Sequence, residues 1–266
     1  MPNPFLTAAI LCTTVLLATL TTHARDLSPR YNDPVENYTE VDVNGWTLLV
    51  NKRLDDHPDE KRDGLDALRW QLWMIERIVP AEAVEVMKKT KIWVEYKCVA
   101  AAQYHPGRKW LEDNNYNPAK TKCVDVGDIT RYSRNLPGRA AMVMLHEMTH
   151  AWHDQTIGFD DERVIAAFEK SRDSGVYDKV MRDRHVKVKH YALTNHKEWF
   201  AEISETYLWV NDYYPFNRAE LKIADPQACD LMEEIWGMKT PTEEELRRQE
   251  ANDFRIQEGG KTTERD

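Results

Sequence analysis

Cysteine is scarce in this chain and widely dispersed. Four occur in 266 residues, none of them in C-x-x-C spacing, which excludes the thiolate-only zinc sites built on closely spaced pairs. Positive charge is also in deficit, 36 Lys and Arg against 45 Asp and Glu. The formal net charge is −9, and an acidic surface repels phosphate-bearing partners, so neither nucleic acid nor an anionic membrane is expected to bind. A long apolar run occurs in one place only: Phe5 to Leu20 carries no charge and is followed by Thr22-His23-Ala24, a small-x-small cleavage site. The run is shorter than the roughly 20 residues that span a bilayer. Residues 1–24 therefore read as an export signal. An uncleaved anchor is the rival reading, because no Lys or Arg precedes the run. The expectation is a soluble protein, secreted or periplasmic, with no stable membrane insertion once the signal is removed.

What is present fits a globular domain. The chain is 42% hydrophobic with nine Trp, enough to bury a sizeable core. Residues 25–239 read as one domain, and from Thr240 the chain is almost wholly charged or polar, a frayed helix and disordered tail. No internal repeat is visible, and too few residues precede the first strand for a pro-segment. Cys12 falls in the signal, leaving Cys98, Cys123 and Cys229. In an oxidising compartment Cys98 and Cys123 could pair, or all three could be buried free thiols.

Periodicity supplies the elements. Residues 25–38 read as an extended lead-in, and Val41 to Leu54 as a hairpin turning at Asn44-Gly45. Asp59 to Val79 carries Leu65, Leu68, Leu72, Ile75 and Val79 at helical spacing. Pro80 breaks that helix, and a short second one runs to about Lys89. Ile92 to Tyr96 and Cys123 to Val126 are strands separated by a loop-rich stretch from Tyr104 to Pro118. A helix follows from Arg139 to about Gln155, entered past Pro137-Gly138. Another runs from Glu162 to Arg172, then a strand from His185 to Tyr191 and a helix from Lys197 to Trp209. Pro215 to Gly237 mixes turns with short helices. The order predicts an α+β fold, a zincin-like two-lobed domain with a small N-terminal sheet, a mostly helical C-terminal lobe and a cleft between them.

The chemistry is concentrated in Val143 to Trp152, which contains His146-Glu147-x-x-His150 inside an apolar helical run. Residues four apart share a helix face, so both imidazoles can reach one metal ion. Glu147 is turned about a hundred degrees away and can reach a water in the open coordination position. A hydrolytic zinc site needs a third protein ligand. The pattern H-E-x-x-H-x-x-G-x-x-H fails, since the chain has His153 and Thr156 at the Gly and His positions. His153 lies about 10 Å along the axis from His146, which makes it a structural or rim histidine. Glu198 and Glu202 are one turn apart beside Trp199, Phe200 and Ile203. Two carboxylates on an apolar helix need a positive partner. Glu198 as ligand, with Glu202 accepting the free N–H of His146 or His150, supplies it. The other reading is an exposed acidic face continued by Glu205.

H-E-x-x-H with a Glu on a later helix resembles the gluzincin zinc metallopeptidases. Tyr191-x-x-Thr194-Asn195-x-x-Glu198-Trp199-Phe200-Ala201-Glu202 is similar to the corresponding stretch of the catalytic domain of anthrax lethal factor and its relatives, which has Phe where Trp199 stands. The resemblance covers roughly residues 139–209 and extends to small exported metallopeptidase-like proteins of bacteria. It implies one Zn2+ ion held by His146, His150 and Glu198, Glu147 as general base, and Tyr191 facing the tetrahedral intermediate. The large substrate-recognition domains of the toxin have no counterpart here, so its target does not carry over.

The expected activity is hydrolysis of a peptide or protein substrate lying extended along a strand edge, either Val124 to Val126 or Ala100 to Tyr104. His105 either lines the cleft or is a turn residue. The alternatives are a zinc-stabilised binding module without turnover and a hydrolase of cell-wall peptide amides.

Overall fold

Asn44 and Gly45 both take positive φ, 52° and 86°, the two-residue turn whose twist matches a hairpin. It joins β1 (Tyr38–Val43) to β2 (Trp46–Asn51), with Val43 opposite Trp46. The structure, a computed structural model, describes residues 32–98, 102–131, 143–182 and 186–238. The expected export signal, Arg139 at the expected start of the helix that carries the motif, His185 and the charged tail from Thr240 lie outside the described residues.

α1 (Pro58–Ile78) and α2 (Ala81–Met87) follow, broken at Pro80 as expected. β3 (Ile92–Val94) pairs parallel to β2. β4 (Ala102–Tyr104) and β5 (Val124–Val126) complete a five-stranded sheet of order β1-β2-β3-β5-β4. β5 is parallel to β3, and β4 is antiparallel to β5 at the margin. The fold is thus α+β. Val124–Val126 is hydrogen-bonded on both sides and so is not an edge, whereas β4 lies at the margin of the sheet.

α1 presents Leu65, Leu68, Leu72 and Ile75 to the core. Gly64 on the same face permits close approach, since a Cβ there would stand 2.6 Å from Ile129 Cγ1. α3 (Arg108–Asp113) lies in the stretch expected to be loop. α4 (Val143–Trp152) carries the motif and continues into a π-helical turn, His153–Ile157. α5 (Glu162–Ser174) is capped by Asp161, and α6 (His196–Leu208) packs against α4. α7 (Arg218–Ala224) and α8 (Pro226–Trp236) close the far side. One contiguous apolar core joins Val50, Leu72 and Met148 to Phe200 and Trp236. Among the described residues, no helix is long and apolar enough to cross a membrane.

The expected strand from His185 to Tyr191 is shorter. β6 (Val180–Arg182) pairs with β7 (Val186–Val188), and Tyr191 opens a 3₁₀ turn, Tyr191–Thr194. No disulfide joins Cys98, Cys123 and Cys229. Cys98 bonds through its backbone to Gly127, past one end of β5, while Cys123 precedes the other end. Four residues of strand separate those positions by about 13 Å, beyond the roughly 7 Å that a disulfide bridges.

Candidate metal centre

Three donor atoms stand at the corners of a nearly equilateral triangle. His146 Nε2 lies 3.1 Å from His150 Nε2 and 3.1 Å from Glu198 Oε2, and the third edge, His150 Nε2 to Glu198 Oε2, is 3.2 Å. Hydrogen bonding alone cannot satisfy all three edges. If both imidazoles donate to Glu198, two N–H groups face each other across the remaining side. A cation suits every corner. Tetrahedral zinc with bonds of about 2.0–2.1 Å places its donors about 3.3 Å apart, within roughly 0.2 Å of this triangle.

The local sequence explains how Glu198 is brought there. Thr194 Oγ1 donates to the Tyr191 carbonyl at 2.7 Å, closing the 3₁₀ turn. Asn195 then caps α6, its side chain accepting from the N–H groups of Lys197 and Glu198. Glu198 therefore sits in the first turn of α6, facing α4. Burial opposes charge on Glu198, but the His146 and His150 imidazoles hold its carboxyl well below the usual carboxylate range.

Behind His146 lies a second layer. Glu202 Oε1 is 3.3 Å from His146 Nδ1 and Glu205 Oε1 is 3.7 Å from it. Of the two histidines left open from sequence, Glu202 serves His146. Asn211 Nδ2 donates to Glu202 Oε2 at 3.0 Å. Glu202 and Glu205 are both buried, so the exposed acidic face is not what forms. Burial weighs against charge on His146, yet Glu198 and Glu202 raise its pKa well above the ordinary value. Burial pushes Glu205 far up, with only partial relief from His146. The described donors also form a group of His146, Glu202 and Glu205.

Glu147 does not join the triangle. Its Oε2 accepts from the backbone N–H of Tyr104 on β4 at 2.7 Å. It is 8% exposed, and burial raises its pKa against the pull of His146, His150 and that N–H. Tyr191 is 45% exposed, its ring centroid 6.3 Å from that of His146. Burial and the Glu198 charge raise its phenol pKa, so it remains a proton donor at neutral pH. All five expected residues and Glu202 line one open cleft of about 1090 Å³, together with β4.

His153 is a core residue, not a rim residue. It is fully buried, with its ring centroid 4.4 Å from that of Phe200 and 5.1 Å from that of Phe159. Neither of its ring nitrogens has a hydrogen-bond partner, and burial lowers its pKa to about 4. His105 both lines the cleft and is buried, its Nε2 3.5 Å from Asp125 Oδ2. The Tyr104 contact carries no sequence signal, since it comes from a segment distant in the chain, and Asn211, nine residues past Glu202, carries none either. His190 does have one: a polar side chain just before a turn, where its Nδ1 accepts from the Ala192 N–H.

Comparison of the chain with protein-family models, with curated proteins and with solved structures gives no match. The geometry of the site therefore carries the functional argument. It brings together two histidines and one carboxylate that could hold a metal ion, with a buried carboxylate beside them.

Proposed function

We propose that this chain is an exported zinc-dependent metallopeptidase of the gluzincin type, with a zincin-like fold in which the sheet with α1, α2 and α4 faces the α6 to α8 helices across the cleft. The observation that carries the proposal is the pairing of a three-donor triangle with a buried carboxylate held outside it. The same donor set suits iron(II), but oxygen chemistry has no use for a carboxylate base at Glu147. A binding module would need neither Glu147 nor Tyr191.

When bound, the cation supplies a Lewis acid that acidifies water and polarises a carbonyl. His146, His150 and Glu198 would hold it, and Glu202 orients the His146 ring. Glu147 takes the proton from the attacking water and returns it to the departing nitrogen. Its raised pKa brings it closer to the range where both transfers are easy. The Tyr191 hydroxyl donates to the developing oxyanion. An extended peptide adds to the free edge of β4. Tyr104 turns its N–H away from β5, toward Glu147, so antiparallel alternation aims both backbone groups of Ala102 at the same open side.

The test is cleavage of a peptide library and of muropeptides by the zinc-loaded protein and by Glu147→Gln, with zinc measured in both. Peptide cleavage by the first and none by the second, at equal zinc content, supports the reading. Full activity in Glu147→Gln removes its base.

A further inference from the structure

We propose that Lys197 and Phe159 form a subsite for a substrate carboxylate close to the bond that is cut. This deepens the hydrolytic reading above and rests on it. Lys197 is the second residue of α6 and lines the cleft with His150 and Glu147. Its Nζ stands 4.4 Å from the centroid of the Phe159 ring. That ring meets His150 edge-on, centroids 6.5 Å apart, so a single aromatic ring separates the ammonium from a cation ligand. Backbone and side chain are tied together here, because His196 Nε2 lies 2.9 Å from the Phe159 carbonyl.

Among the described residues, no carboxylate lies within ion-pair distance of Lys197 Nζ. The other cations lining the cleft are neutralised, Arg182 by Asp212 at 3.0 Å and Arg131 by Asp128 at 3.5 Å. A cation in the first turn of α6 also opposes the helix dipole. A charge that local rules disfavour, left without an internal partner and facing the cleft, marks a functional position. Its complement is a carboxylate, which the acidic cleft would otherwise repel from Glu147 and Glu202. Extended peptide advances about 3.3 Å per residue, so this carboxylate belongs within about three residues of the scissile bond. It can be an Asp or Glu side chain, or the C-terminal α-carboxylate of a short peptide.

Three matched random peptide mixtures test this on zinc-loaded full-length protein. One has free C-termini, one amidated C-termini, and one Asn and Gln in place of Asp and Glu. Wild-type cut sites should be enriched in a carboxylate at one position near the scissile bond. The mixture that loses cleavage identifies which carboxylate is used. Lys197→Glu should abolish the enrichment and favour Lys or Arg there; an unchanged cut-site profile overturns the subsite. Binding provides a second readout that needs no turnover. In a Glu147→Gln background, anisotropy of a fluorescein-labelled acidic peptide should show about tenfold weaker binding on adding Lys197→Glu, as for losing a charge-assisted hydrogen bond. Its Gln-for-Glu counterpart should bind both forms alike. Equal affinity of the acidic peptide for both forms overturns the subsite. If no mixture is cut by wild type, the hydrolytic reading fails, and the binding comparison still decides the subsite.

Discussion

The backbone N–H of Tyr104 holds the carboxylate of Glu147 at 2.7 Å, tying the proposed base to the strand edge that would receive the substrate. The same tyrosine is fastened at its other end. Its hydroxyl donates to Asp154 Oδ2 at 2.7 Å, on the π-helical turn that extends the metal helix. Lys122 pairs with that same Asp154 at 2.5 Å. The edge strand and α4 therefore share one register, and in a catalytic site a displacement of about 1 Å between such elements can cost about 10²-fold in rate.

Tyr104→Phe removes the Asp154 contact and leaves the backbone N–H in place. We expect kcat to fall about tenfold with zinc retained, and stability to drop by about 1.5–3 kcal/mol, as for a hydrogen bond to a charged group. Steady-state kinetics and urea denaturation check the two halves. Unchanged kcat would show that the clamp does not position Glu147.

Glu202→Gln should weaken zinc binding by about 10- to 100-fold, the usual loss when a partner of a ligating histidine is altered. Competition with a fluorescent chelator measures it. Wild-type affinity would mean that the 3.3 Å contact with His146 does not orient the ring.

Tyr191→Phe should lower kcat by about 10²- to 10³-fold with little change in KM, the pattern for losing one donor to an oxyanion. Tyr191 is 45% exposed, so folding should be unaffected, and circular dichroism should superimpose on wild type.

His153 supplies a pH dependence. Burial lowers its pKa from 6.5 to about 4 in the folded protein. Above pH 6.5 it is neutral in both states and contributes no slope. As pH falls from about 6.5 to about 4, the unfolded chain binds a proton that the folded chain refuses, and up to about 3 kcal/mol of stability is lost. Below the folded pKa the loss is complete. His153→Phe, which fills the same apolar site without orphaned nitrogens, should flatten that part of the curve in urea midpoints measured from pH 7 to 4. A curve parallel to wild type would contradict the assignment.

The residues of the candidate metal centre are legible in the sequence because their determinants are local. His146 and His150 are one turn apart, and Thr194 and Asn195 set Glu198 through contacts of two or three residues. The hairpin at Asn44-Gly45 and the long α1 are legible for the same reason. What stayed hidden depends on distant partners. β4 and β6 are three residues each, too short for alternation to mark, and they exist through pairing with β5 and β7. Val124–Val126 reads as a possible edge until β4 is placed outside it. Glu205 looks like one more surface acid, and only Asn211 and the packing of α6 on α4 reveal its burial.

Anomalous X-ray scattering at the zinc edge, on crystals of the zinc-loaded protein, locates the ion itself. One peak is expected, about 2.0–2.2 Å from His146 Nε2, His150 Nε2 and a Glu198 oxygen. A peak among His146 Nδ1, Glu202 and Glu205 instead, or Glu198 turned away from the ion, would contradict that expectation.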